Sequence, residues 1–149
     1  MLVRDIYRPD VDCAESDEVV VVGARRMLQR SVGSLIIVDS DRRPVGIVTD
    51  RDLVVRVLAA GANPATMTLV DVMTPTPWTI EREAPLERAL EAMREHCCRR
   101  IPVVDPDGRL EGIITLDDIV LCMRDQFERV GKVIELQSPR GVVTVEACS

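Results

Sequence analysis

Gly46-Ile47-Val48-Thr49-Asp50-Arg51-Asp52-Leu53 returns as Gly112-Ile113-Ile114-Thr115-Leu116-Asp117-Asp118-Ile119, an offset of 112 − 46 = 66 residues. The same offset pairs Asp5 with Asp71, Ala24 with Leu90, Met27 with Met93, Val38 with Val104, Asp39 with Asp105 and Arg43 with Arg109. Two copies of one unit therefore occupy residues 3 to about 126. With only two copies, a pseudo-symmetric pair is expected rather than an open solenoid, and function is expected in the groove between them.

Within the second copy, Leu86, Ala89, Leu90 and Met93 follow Pro85 at helical spacing. Their counterparts Val20, Gly23, Ala24 and Met27 sit in a β-branched run that favours a strand by propensity, but the repeat assigns the first helix to Glu18–Arg30. Leu35–Val38 and Ile101–Val104 read as buried strands, each followed by a polar turn and a partner strand, Val45–Val48 and Leu110–Ile114. Helices then start near Asp50 and Leu116, with stops expected at Gly61 and Gly131. Each unit reads β-α-β-β-α, an α+β fold. The expected boundaries are a first unit at 3–61, a linker at 62–68, a second unit at 69–130 and an extension at 131–149. Around the Ser138–Gly141 turn, Ile134–Gln137 and Val142–Val145 suggest a small hairpin or a frayed tail.

The chain has 149 residues, 46% of them hydrophobic and 30% charged, with a mean hydropathy of +0.08, as expected of a soluble globular protein. No apolar run approaches a membrane span, and Arg4 and Asp5 interrupt the place of a signal-peptide core, so cytoplasmic residence is expected. Five cysteines without CxxC spacing fit a reducing compartment. A net charge of −6 and three aromatic residues (one each of Phe, Trp and Tyr) argue against nucleic acid as a partner.

Thr49 with Asp52, and Thr115 with Asp118, open the two later helices. Thr-x-x-Asp before an apolar run is a variant of the capping box, satisfying free backbone N–H groups. A helix start also offers donors to phosphate, and a carboxylate can accept from both hydroxyls of a ribose, so each corner could hold part of a nucleotide. Both readings stand at this point.

These repeated segments, Met27 through Leu53 and Met93 through Ile119, resemble a tandem pair of CBS domains, named for cystathionine β-synthase. The resemblance implies two units packed through their sheets into a Bateman module with two clefts, regulatory ligands among AMP, ADP, ATP and S-adenosylmethionine, and a disc-like homodimer. It further implies Asp52 and Asp118 on ribose hydroxyls, and Thr49 and Thr115 facing phosphate. Adenine would lie against aliphatic side chains, near the backbone of Ile36 and Pro102. Arg100, before Ile101-Pro102, matches a basic position often directed at ligand phosphate. Its counterpart is Ser34, so the clefts are expected to differ, with the Arg100 cleft the stronger anion site and Arg51 a possible cation for the other. The first strand reads Asp12-Cys13-Ala14 where the family usually carries valine and threonine, so the first site departs further from the family pattern than the second, which keeps Thr79-Ile80.

His96-Cys97-Cys98 lie side by side without a second cluster to complete a tetrahedral site, so no metal is expected. The single His stands outside any nucleophile motif, and neither a Walker nor a dinucleotide glycine pattern occurs, so no catalytic activity is expected. The sequence thus supports a regulatory adenosine-nucleotide-binding pair acting on an unknown protein target in trans. The alternative is a ligand-free assembly module whose Thr-x-x-Asp pairs are only caps.

Overall fold

The computed structural model describes residues 1–137. Strand β1 (Cys13–Glu15) leads to helix α1 (Val20–Arg30), then β2 (Ser34–Val38), β3 (Pro44–Thr49) and α2 (Asp50–Leu53), which continues as a π-helical turn over Val54–Leu58. After α3 (Leu69–Val72) and β4 (Thr74–Pro75), the pattern repeats as β5 (Ile80–Glu81), α4 (Leu86–Glu95), β6 (Arg100–Val104), β7 (Leu110–Thr115) and α5 (Leu116–Gln137). β1 runs parallel to β2, and β2 antiparallel to β3. β5, β6 and β7 repeat that arrangement.

The repeat does overrule propensity at Val19–Val22. Val20 and Met27 of α1 are buried as Leu86 and Met93 of α4 are, and Gly23 takes the place of the buried Ala89, with glycine there because a Cβ would stand 3.0 Å from Leu69 Cδ2. Both helices end on a residue in the left-handed region, Ser31 (φ 54°) and Cys97 (φ 49°), again 66 positions apart.

Each copy lends its first turn to the other's core. Val3, in a 3-10 turn (Val3–Asp5), is buried with Ile80, Leu86, Ala89 and Met93 of the second copy. Leu69 and Val72 of α3 are buried with Val20, Met27 and Leu35 of the first. Matching backbone bonds anchor the exchange: Val3 N–H to Ala84 C=O at 2.9 Å, and Leu69 N–H to Glu18 C=O at 2.8 Å. Beyond each turn the chain adds to the opposite sheet, where Thr74 pairs with Ile47 and Arg8 with Ile113. The repeated glycine makes room for this strand. A Cβ on Gly112 would fall 2.7 Å from Tyr7 Cε2 and collide with the Arg8 carbonyl oxygen, and one on Gly46 would collide with Met73.

The two sheets pack through Ile36, Leu110 and Ile113, with Val11, Cys13, Val38 and Ile47 around them. The two units therefore share one α+β module, with three apolar clusters among the described residues.

Of the two helix ends expected at glycines, one differs from expectation. Gly61, at φ 65°, stops the first as predicted. Gly131 does not stop the second, since α5 runs on to Gln137. Unlike Gly61, Gly131 has no positive φ, and good helix formers such as Lys132, Glu135 and Leu136 follow it, so the residue costs helix stability of about 1 kcal/mol without ending it. The expected hairpin loses its first arm, because Ile134–Gln137 is helical. Its second arm lies outside the described residues.

Candidate functional site: two unequal clefts

Each Thr-x-x-Asp corner lies where β3 or β7 turns into a helix, and each faces the helix-to-strand corner of the other copy. The first cleft combines Thr49–Asp52 with His96–Arg100, in a cavity of 510 Å³ that also reaches Ile47 and Thr74. A neighbouring cavity of 510 Å³ extends it to Thr76–Thr79 and Trp78, whose ring stacks on His96 with centroids 5.7 Å apart. The second cleft is a 320 Å³ cavity between Arg8–Asp12, Ser31–Ser34, Ile113 and Thr115.

The two acids are held differently. Asp52 Oδ2 accepts from the Thr49 N–H at 2.8 Å and the Thr49 hydroxyl at 2.7 Å, while its own N–H donates to Thr49 Oγ1 at 3.2 Å. This is a closed capping box, and it leaves Oδ1 with only Arg56 at 3.4 Å. Asp118 Oδ2 accepts from the Thr115 hydroxyl at 2.6 Å, and its Oδ1 accepts from Arg8 Nε at 2.7 Å and from Arg8 Nη2. The Asp118 side chain is 7% exposed and that of Asp52 16%. Asp52 lines its cavity and Asp118 does not.

Charge separates the clefts further. The first is bordered by Arg51, Arg99 and Arg100 against Asp50 and Asp52. The second has Arg8 and Arg100 against Asp10, Asp12 and Asp117. Arg99 bonds Asp117 at 2.7 Å, and Arg30 reaches Asp12 at 2.7 Å and Asp10 at 3.1 Å, so several of these acids are already partnered by arginine. Those ion pairs reduce the contrast, and the formal balance of the lining side chains, three arginines against two aspartates in the first cleft and two against three in the second, still favours an anion in the first.

Arg100 does not divide between the clefts as its place in the second copy suggested. It lines both cavities, and a Cβ on Gly33 would stand 3.5 Å from its Nη2. Arg51 and Arg100 thus share the first cleft. Ser34 borders the second cleft, not the cavity beside Thr49. Ile36, Ile101 and Pro102 line none of these cavities. Ile36 is buried between the sheets and Ile101 in the second core, and the aliphatic walls are Ile47 and Ile113 instead. Trp78 and Arg8 had no role in the sequence reading. Arg8 was detectable there, because the 66-residue offset sets it against Thr74.

His96, Cys97 and Cys98 border the first cleft, yet no group of three His, Cys, Asp or Glu side chains among the described residues is placed to hold a metal ion. Burial pushes the Cys98 thiol up, which outweighs the hydrogen bonds that lower it and keeps it protonated at neutral pH.

Paired units, exchanged first turns and a Thr-x-x-Asp corner in each cleft define a CBS domain pair. The chain belongs to the CBS domain family, whose model matches residues 3–59 and 69–125. Hypoxic response protein 1 of Mycobacterium tuberculosis is 36% identical over 116 residues, covering 78% of this chain and 80% of that protein. An uncharacterized protein of Methanopyrus kandleri is 36% identical over 118 residues, 79% of this chain but only 60% of the relative. Among solved structures, Hypoxic Response Protein I with two coordinated zinc ions is similar at 35% identity and a TM-score of 0.73, over 81% of this chain and 98% of that one. The CBS domain pair of protein MJ0100, in complex with 5-methylthioadenosine and S-adenosyl-L-methionine, is similar at 27% identity and a TM-score of 0.76, over 85% and 98%. CBSX2 in complex with AMP is similar at 25% and 0.73, over 83% and 97%. No helix among the described residues is long and apolar enough to cross a membrane.

Proposed function

We propose that this CBS pair is a non-catalytic cytoplasmic regulator that binds an adenosine phosphate (AMP, ADP or ATP) in the first cleft and transmits occupancy to a protein target in trans. The observation that carries this reading is Asp52, which borders a cavity with an oxygen free of close hydrogen bonds beside Arg51 and Arg100. Asp52 Oδ1 accepts from the ribose, Thr49 and the arginines face the phosphate, and Ile47 lies against the base. AMP in the similar CBSX2 supports the ligand class. S-adenosylmethionine, one ligand of the similar MJ0100 pair, is the cationic alternative. An affinity near 10 μM corresponds to about −7 kcal/mol.

Occupancy acts on a partner only through differential affinity for two shapes of the molecule. Self-association into a homodimer is part of this reading. Val54, Val55 and Leu58 of the π-helical turn are exposed, as are Val120, Met123, Phe127, Val130 and Ile134 of α5, spaced three and four apart as in a helix-pairing seam. The competing reading, a ligand-free assembly module, draws on the closed capping box at Thr49 and on the sealed Asp118.

A thermal-shift series with AMP, ADP, ATP and S-adenosylmethionine separates the two. A ligand at about 100 times its Kd adds roughly 2.7 kcal/mol, several degrees for a chain of this size. A shift with an adenosine phosphate that disappears in Asp52→Ala supports the regulator. The absence of a shift with all four compounds supports the assembly module.

A further inference from the structure

The second cleft contains a ribose-type acid that its own cavity cannot reach. Arg8 and Thr115 border that cavity, and Asp118 does not. Asp118 instead meets a separate 340 Å³ hollow beside Asp5, Ile6 and Leu121. Arg8 stands between cavity and acid: its side chain is 61% exposed while Asp118 is 7% exposed, and two of its nitrogens meet Asp118 Oδ1. Thr115 holds the other oxygen.

The first copy shows the unblocked arrangement. Thr74 occupies the position equivalent to Arg8, on the same added strand, and its hydroxyl accepts from Arg56 at 3.2 Å without reaching Asp52. Asp52 then borders its cavity. Two positions distinguish the acids: Arg8 stands where the first copy has Thr74, and Cys122 where it has Arg56, which reaches Asp52 Oδ1 only at 3.4 Å and leaves Asp52 on its cavity.

We propose that Arg8 is a built-in latch that makes the two clefts non-equivalent, covering Asp118 so that the second cleft rejects ribose and the chain binds one adenosine ligand rather than two. The inference rests on the ribose role given to Asp52 and, by symmetry, to Asp118. An arginine that places two N–H donors on one oxygen of a largely buried carboxylate makes charge-assisted hydrogen bonds, about twice as strong as neutral ones, and so competes with the two neutral hydroxyls of a ribose. The surrounding Asp10, Asp12 and Asp117 add that, once uncovered, this cleft suits an adenosyl ligand without phosphate.

The test uses the full chain and uncharged adenosine as probe, in calorimetric titrations with AMP binding to the unsubstituted chain alongside. In an Asp52→Ala background the second cleft is read alone, and no adenosine binding is expected. Adding Arg8→Thr, the residue that the first copy carries, is expected to create one site per chain, a gain of at least about tenfold in affinity. The Arg8 backbone bonds to Ile113 are independent of its side chain, and Arg8→Gln, which keeps the length but not the charge, serves as a second variant, with the same gain expected. Adenosine binding to Asp52→Ala with Arg8 in place overturns the latch, as does failure of both double variants to bind while the unsubstituted chain binds AMP. If Arg8 instead serves ligand phosphate, Arg8→Thr lowers AMP stoichiometry, which also overturns it. A chain that fails to bind AMP while Asp52→Ala/Arg8→Thr binds adenosine refutes the first-cleft reading and leaves the latch standing.

Discussion

The glycine before each Thr-x-x-Asp corner shows how one residue type serves the fold and the cleft together. Gly112 lets the Tyr7–Arg8 backbone lie against β7, and Gly46 lets Met73 lie against β3. The obstacles differ in stiffness: Gly112 faces a carbonyl oxygen and an aromatic ring, Gly46 a flexible thioether chain. Gly112→Ala is therefore expected to destabilise by about 1–3 kcal/mol and Gly46→Ala by less, read from urea midpoints. Equal costs would contradict this account of the exchanged strands. Because Arg8 is carried by the strand that Gly112 admits, Gly112→Ala also disturbs the cover on Asp118.

Among the elements, β2 with β3, β6 with β7, both repeat helices and the Gly61 stop were legible in the sequence, because the repeat supplied a second reading wherever propensity misled. The exchanged turns were not. Val3–Asp5 and Leu69–Val72 are too short for a periodic pattern, and neither says on which copy its apolar residue packs. Of the candidate site, the positions of Thr49, Asp52, Thr115 and Asp118 at the strand-to-helix corners were legible, whereas the bordering of both cavities by Arg100 and the placing of Ile36, Ile101 and Pro102 away from them were not, because each cleft draws its second wall from the other copy. Local sequence cannot show a wall that arrives through tertiary packing. The same exchange sets an acid response. The Asp71 carboxyl is held below its ordinary value by the Thr68 backbone and hydroxyl donors. At Glu18, burial acts upward but is outweighed by Arg26 and the Glu15 N–H, and the net direction is down. Both groups are more acidic folded than unfolded, so their stabilisation is complete above the unfolded values and is lost as pH falls through the folded ones. Stability should decline from about pH 5 downward, with a shallower decline in Glu18→Gln, as urea midpoints across pH would show.

At the scale of the whole molecule, pseudo-symmetry builds two clefts and a few side chains make them unlike: Arg8 for Thr74, Ser34 for Arg100, Asp117 for Arg51. The outer helices carry a second consequence. Phe127 is 73% exposed at the middle of the apolar stripe of α5, where the proposed homodimer sets a partner helix. Phe127→Asp is expected to shift sedimentation from dimer to monomer while leaving the helical circular dichroism unchanged; an unaltered dimer would place the contact elsewhere. The claim on which the rest depends is that an adenosine phosphate sits on Asp52 alone. Calorimetric titration of AMP into the unsubstituted chain, Asp52→Ala and Asp118→Ala tests it most directly. One site per chain is expected, abolished by Asp52→Ala and retained in Asp118→Ala. Loss of binding in Asp118→Ala with binding kept in Asp52→Ala would contradict it.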